Sequence, residues 1–144
     1  MEIVPTPVDE FLAGFDEDDR ATMTTLDEVI VAALPGRRRV LWEGVFWGGT
    51  EQSIIGYGDI VQPRPKGPDV EWFLVGLARQ KQHVSIYVNA VEDGQYLGQR
   101  YADRLGSVKI GSASIGIRRL DRVDLEALRE LLALAHELAP PDRS

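Results

Sequence analysis

Cysteine is absent from this 144-residue chain, which excludes disulfides, iron–sulfur clusters and thiolate chemistry. Histidine occurs twice, too few for a zinc site built without cysteine. No apolar run approaches the roughly 20 residues that cross a bilayer; the stretch 29–34 is typical. The opening residues lack the basic segment and apolar core of a signal peptide, so a cytoplasmic protein is expected. Positive charge is in deficit. Sixteen Lys and Arg against 23 Asp and Glu leave a net charge of −7, which argues against a nucleic-acid or anionic-membrane partner. Catalytic signatures are missing too. Gly56-Tyr57-Gly58 is no phosphate loop, because neither a helix nor Lys-Ser/Thr follows it. Ser85 and Ser114 lack a base and an orienting group for acyl transfer. Binding is therefore expected rather than catalysis.

What is present is an ordinary globular composition, 44% hydrophobic and 27% charged, at the length of one domain. A single domain over 1–144 is expected, with its core between about 8 and 138 and a frayed polar tail at 139–144. Pro7 followed by Val8, Phe11 and Leu12 reads as a short helix that Gly14 stops. Asp16 is placed to cap a second helix, whose first turn of Glu17, Asp18 and Asp19 suits the positive dipole end. Leu26, Val29, Ile30, Ala33 and Leu34 follow at helical spacing, and Pro35-Gly36 ends the run. Strands are predicted around 40–47, 53–57, 71–77 and 83–88, with a turn at Gly48-Gly49, a proline loop at 63–68 and a tight polar hairpin at 79–82. Gly44 suggests a bulge. A short helix within 96–105 and a last strand at 114–117 precede the final helix. Asp121 is its expected cap, and Leu125, Leu128, Leu131, Leu132 and Ala135 its buried stripe. Short links between consecutive strands imply an antiparallel sheet. The class is thus α+β: a sheet of about five strands with N- and C-terminal helices packed on one face.

Strand alternation then sorts the side chains. Val84, Ile86 and Val88 should meet the helices, as should Ile115 and Ile117. The opposite, open face is expected to carry Tyr57, Trp72, His83, Tyr87 and Arg118, with Gly76 and Gly116 leaving room. Aromatic walls with a few polar groups suit a small ligand or a protein partner, and they also suit plain cross-strand stacking. Such a face is compatible with a monomer or a homodimer. Arg79 and Lys81, with Lys109 and Arg118, are candidates for an anion pocket beside it, since guanidinium grips carboxylate or phosphate bidentately. An ordinary charged hairpin also accounts for the first two. His83 is a candidate ligand or general base, or else a hydrogen-bonded structural residue. His136 and the run Arg37-Arg38-Arg39 read as complements to the negative ends of helices.

Several segments resemble, in order, the YdhG-like domain family: Ile54-Ile55-Gly56-Tyr57-Gly58, Trp72-Phe73-Leu74-Val75-Gly76-Leu77, the run 79–88, Leu105-Gly106-Ser107-Val108-Lys109 and Leu120-Asp121-Arg122-Val123-Asp124. The resemblance spans about 8–138 and implies a frataxin-like α-β sandwich. For some members it implies an intracellular iron chaperone. Frataxin-type binding uses an exposed acidic helix edge, which here would be Asp16, Glu17, Asp18 and Asp19, oxygen ligands for weakly held iron. Four consecutive acids on a helix point in different directions, so they make a diffuse patch rather than a cage. A solvated, dipole-matched helix start also accounts for them. The chain departs from the family's Pro-Arg-Lys pattern at the hairpin, where it reads Ala78-Arg79-Gln80-Lys81, and in the loop at 63–68.

Overall fold

Capping chemistry at the N-terminus acts as the sequence dictates. Helix α1 (Val8–Ala13) follows Pro7 and stops at Gly14. Asp16 keeps extended backbone and its Oδ1 accepts the Asp19 N–H at 3.0 Å, which opens α2 (Glu17–Ala33). The structure, a computed structural model, describes residues 1–46, 50–62 and 67–142. The expected turn at Gly48-Gly49 and residues 63–66 of the proline loop lie outside the described residues.

The strands are β1 (Glu2–Val4), β2 (Arg39–Phe46), β3 (Thr50–Gln62), β4 (Val70–Arg79) and β5 (Val84–Val88). A two-stranded ribbon of β6 (Val91–Glu92) and β7 (Gln95–Tyr96) leads into the short helix α3 (Leu97–Arg100). Then come β8 (Lys109–Ile110), β9 (Ser114–Ile117) and the last helix, α4 (Leu125–Leu138). Seven strands form one sheet in the order β1-β2-β3-β4-β5-β9-β8, with every pairing antiparallel. The fold is α+β, and the sheet is wider than the about five strands read from the sequence. The additions are its two edges, β1 with 3 residues and β8 with 2, too short to show a period. Gly44 makes no bulge; it pairs with Gln52 in unbroken register.

Two expectations at the C-terminus are corrected. Asp121 does not cap α4. It is held by Arg119, whose Nε and Nη2 donate to its two carboxylate oxygens at 3.1 and 2.8 Å, inside a 3-10 turn at Leu120–Arg122. A bridge between Gly106 and Val123, and the Asp124 N–H donating to the Leu105 carbonyl at 2.9 Å, keep the next residues extended. Asp124 then becomes the cap, accepting the Ala127 N–H at 3.1 Å. The tail is docked rather than frayed as far as Asp142. Arg37 donates to the carbonyls of His136 at 3.1 Å and Ala139 at 3.2 Å, and also to that of Pro140. One arginine thereby closes the C-terminal end of α4, where carbonyls lack helical partners. His136, the basic residue of the last turn, accepts from Arg37 Nε through Nδ1 at 3.1 Å, so both side chains stand at that end.

The core lies between the helices and one sheet face. Met23, Leu26 and Ile30 of α2, with Leu128, Leu131 and Leu132 of α4, pack in one cluster with Leu41, Ile55, Val75, Leu77, Ile86, Val88 and Ile115. Each sheet residue of that set is also aligned across the ladders, as Leu41↔Ile55↔Leu77↔Ile86↔Ile115 shows. Val84, Ile86 and Val88 therefore point to the helices as their alternation predicts. A second buried cluster, Trp42, Ile54, Trp72, Phe73 and Ala78, lies on the other face.

Candidate functional site

Tyr57 corrects the expected face. It is 2% exposed within the helix-side core, not on the open face. It aligns with Arg39 and Val75, and its hydroxyl donates to Asp27 Oδ1 on α2 at 2.7 Å. Arg39 grips the same carboxylate with Nε to Oδ1 at 3.0 Å and Nη2 to Oδ2 at 2.7 Å, and Nη2 also reaches Asp9 at 3.0 Å. Burial, then the neighbouring Asp27 charge, pushes the Tyr57 hydroxyl well above its ordinary value. Desolvation opposes the Arg39 cation, but its bonds to Asp27 and Asp9 outweigh that and hold it protonated. This network fastens α1 and α2 to the sheet and leaves nothing of Tyr57 for a ligand.

Trp72 does lie on the face away from the helices, but in closed packing. Its ring stacks on Phe73 at 4.4 Å between centroids and meets Trp42 at 5.3 Å. Gly56 and Gly76 make the space. A Cβ at Gly76 would sit 2.5 Å from Phe73 Cε1, and one at Gly56 would sit 2.6 Å from Trp42 Nε1. The room expected at Gly76 is therefore filled by a ring.

Beyond Tyr87, the same face hollows into a cleft of about 830 Å³ over β5, β9 and β8. Ser85 aligns with Gly116, and Gly116 with Lys109, so these three share the floor. Here the glycine does leave room: a Cβ at Gly116 would meet its neighbours no closer than 3.5 Å. His83, Lys109, Arg118, Arg119 and Arg122 all line the cleft, and among the described residues no carboxylate does. Arg119 is paired with Asp121. Lys109, Arg118 and Arg122 have no ion-pair partner among the described residues. Gly106, at φ +91, is needed to bring Arg122 here, because a Cβ there would lie 2.3 Å from the Arg122 carbonyl oxygen. A neutral relay stiffens one wall. Ser85 Oγ donates to Gln80 Oε1 at 2.7 Å, and Gln80 Nε2 donates to the Tyr87 hydroxyl and to Gln52 Oε1, both at 3.0 Å.

Of the residues expected in a site, the cleft gathers His83, Tyr87, Arg118 and Lys109. Arg79 is elsewhere: its Nε donates to Asp19 on α2 at 2.9 Å and its Nη1 to the His83 carbonyl at 3.2 Å. Arg79 aligns with Val84 on the helix side, so the pleat directs it away from the cleft. Lys81 is exposed at the hairpin and does not line the cleft. Arg119, Arg122, Gln80 and Ser107 belong to the cleft and went unread, although three arginines in 118–122 are a visible cluster. At the acidic start of α2, Asp16 caps the helix and Asp19 pairs with Arg79, while Glu17 and Asp18 are exposed. Among the described residues no group of three or more His, Asp or Glu side chains could hold a metal ion, and no helix is long and apolar enough to cross a membrane.

Fold and cleft define the class: an α+β protein with a cationic hollow on the helix-free face of an antiparallel sheet. In comparisons with known proteins, no family model, no curated protein and no solved structure matches the chain.

Proposed function

We propose that this protein binds a small anion in the cleft over β5, β9 and β8. One observation carries the reading. In a chain of net charge −7, Lys109, Arg118 and Arg122 line one hollow to which no carboxylate among the described residues contributes. Like charges brought together without counter-ions repel, so their convergence makes sense when an anion supplies the missing charge. A volume of about 830 Å³ falls in the range of small-ligand sites. The iron reading implied by the YdhG-like resemblance has less support, because Asp16 and Asp19 already hold partners.

Calorimetric titration with inorganic phosphate, pyrophosphate and citrate tests the proposal. Binding is expected, and Arg118→Gln with Arg122→Gln should weaken it by about tenfold or more, as charge-assisted bonds are lost. Unchanged affinity in the double variant, or no binding of any anion, overturns the proposal. Titration with ferrous iron is the matching control for residues 16–19.

A further inference from the structure

Two side chains meet over Gly116 from opposite sides. A Cβ there would lie 3.5 Å from His83 Cδ2, coming from the β5 side, and 3.6 Å from Lys109 Cβ, coming from β8. Glycine keeps the space between them open. Alternation puts His83 on the face of Ser85 and Tyr87, and both His83 and Arg118 lie one residue past the last aligned pair, Val84↔Ile117. The His83 backbone is fixed, since its carbonyl accepts the Gln80 N–H at 2.8 Å and Arg79 Nη1 at 3.2 Å. Its ring is not held in that way. Neither ring nitrogen has a hydrogen-bond partner among the described residues. No buried side-chain nitrogen or oxygen among those residues lacks a partner, so solvent reaches both ring nitrogens.

The charged groups that share the cleft with this ring are of one sign. Lys109 comes from β8, and Arg118, Arg119 and Arg122 come from the segment after β9, Arg119 being held by Asp121. From β5 comes the Tyr87 hydroxyl, which accepts from Gln80. The hairpin adds only neutral glutamines; Lys81 is exposed off the cleft, and Arg79 with its partner Asp19 lies on the helix side. Imidazole changes charge between about pH 5 and 8, whereas ammonium and guanidinium groups do not. A protonated ring in this cleft therefore gains a counter-charge only when an anion enters. Resting on the anion reading above, we propose that His83 is a ligand of that anion and that the cleft takes up anion and proton together. The imidazolium donates to the anion over Gly116, so the site holds its ligand more tightly as pH falls. The coupling is reciprocal, because a proton that strengthens anion binding is itself bound more tightly by the same factor. Lys109 and the arginines supply the constant part of the charge, and His83 supplies the part that varies.

Calorimetry of the intact chain with sulfate separates this proposal from the one it rests on, because sulfate, unlike phosphate, does not itself titrate in that range. Affinity should rise about fivefold or more from about pH 8 to about pH 5.5. Heats compared in two cationic buffers of different ionisation enthalpy should show proton uptake on binding. His83→Gln should bind sulfate much as wild type does near pH 8 and lose the rise. His136→Gln, which alters the only other histidine, should keep it. In proton NMR at about pH 7, sulfate should move the His83 ring resonances toward their protonated positions and leave those of His136 in place. That measurement uses wild-type protein, so it decides the matter even if the glutamine variant fails to fold. If sulfate binds equally well across the range, if His83→Gln keeps the rise, or if the His83 resonances stay still, His83 is not the proton carrier and the anion site stands without it. If sulfate binds at neither pH, the anion site itself is wrong.

Discussion

One sheet face carries two opposite solutions to the same problem. Over β2, β3 and β4, Trp42 covers Gly56, Phe73 covers Gly76, and these rings and Trp72 bury one another, with both tryptophans below a tenth exposed. Over β5, β9 and β8 no ring fills the space at Gly116, where a Cβ would meet only His83 and Lys109 at 3.5 Å or more, and arginines and a lysine join the lining. Tyr87 stands at the border, packed on the aromatic cluster on one side and lining the cleft on the other. Aromatic burial makes the first half a stabilising layer without any helix above it. In the second half Lys109, Arg118 and Arg122 have no ion-pair partner among the described residues, so they add no pairing energy to the fold, and it is there that we propose an anion binds.

If that division is real, substitutions in the two halves should read out differently. Phe73→Ala should have the largest effect, a loss of about 3–5 kcal/mol in urea unfolding, from lost burial and a residual cavity. Phosphate affinity in the folded variant should remain within about twofold; a parallel collapse would show that the halves are not independent. Next is Asp27→Ala, which takes the bidentate partner from Arg39 and the acceptor from Tyr57. A loss of about 2–3 kcal/mol is expected, below that of a wholly dry pair because Arg39 is a quarter exposed. Phosphate titration of the same variant should match wild type, as the network lies on the helix side.

The pH dependence sharpens the contrast further. Tyr57 is raised in the folded state, so its contribution is fully present below its ordinary value of 10.0 and is lost as pH climbs from there toward the folded value. Melting temperature should fall above about pH 10, and Tyr57→Phe should flatten that slope. At Asp142, burial opposes ionisation. The Arg38 and Asp59 amides, with the Arg37 guanidinium, outweigh it and hold the carboxyl below its ordinary value. Its contribution is present above 3.8 and lost as pH falls through the lowered value. Asp142→Asn should therefore reduce the acid sensitivity of the fold. The smallest stability effect belongs to the cleft. Arg118→Gln and Arg122→Gln should each shift unfolding by no more than about 0.5 kcal/mol while weakening anion binding. A clear destabilisation would mean these arginines hold the fold together.

Legibility differed along the chain for physical reasons. The β5 phase could be read because Val84, Ile86 and Val88 alternate with His83, Ser85 and Tyr87. No such contrast exists in β3 and β4. Ile54 and Ile55 are both fully buried, in different clusters, and Trp72 through Ala78 are buried throughout. Two apolar faces erase the period-2 signal, which is how Tyr57 came to be assigned to the wrong side. Nor could the partners of Arg37, Arg38 and Arg39 be read. Asp142, Asp59 and Asp27 are 105, 21 and 12 residues away from them respectively, and a helix-end explanation was sufficient locally.

From its own composition and short-range patterning, the chain determined its class, most of its helices and the inward set of β5 and β9. Capping, periodicity and turn residues act over a few positions, and that is the range a sequence displays. Which arginines would be matched by acids and which left bare was decided only when the sheet closed and the segment after Gly106 was laid beside 122–124. Pairing of charges depends on distance in space, and here that distance is set by strand register.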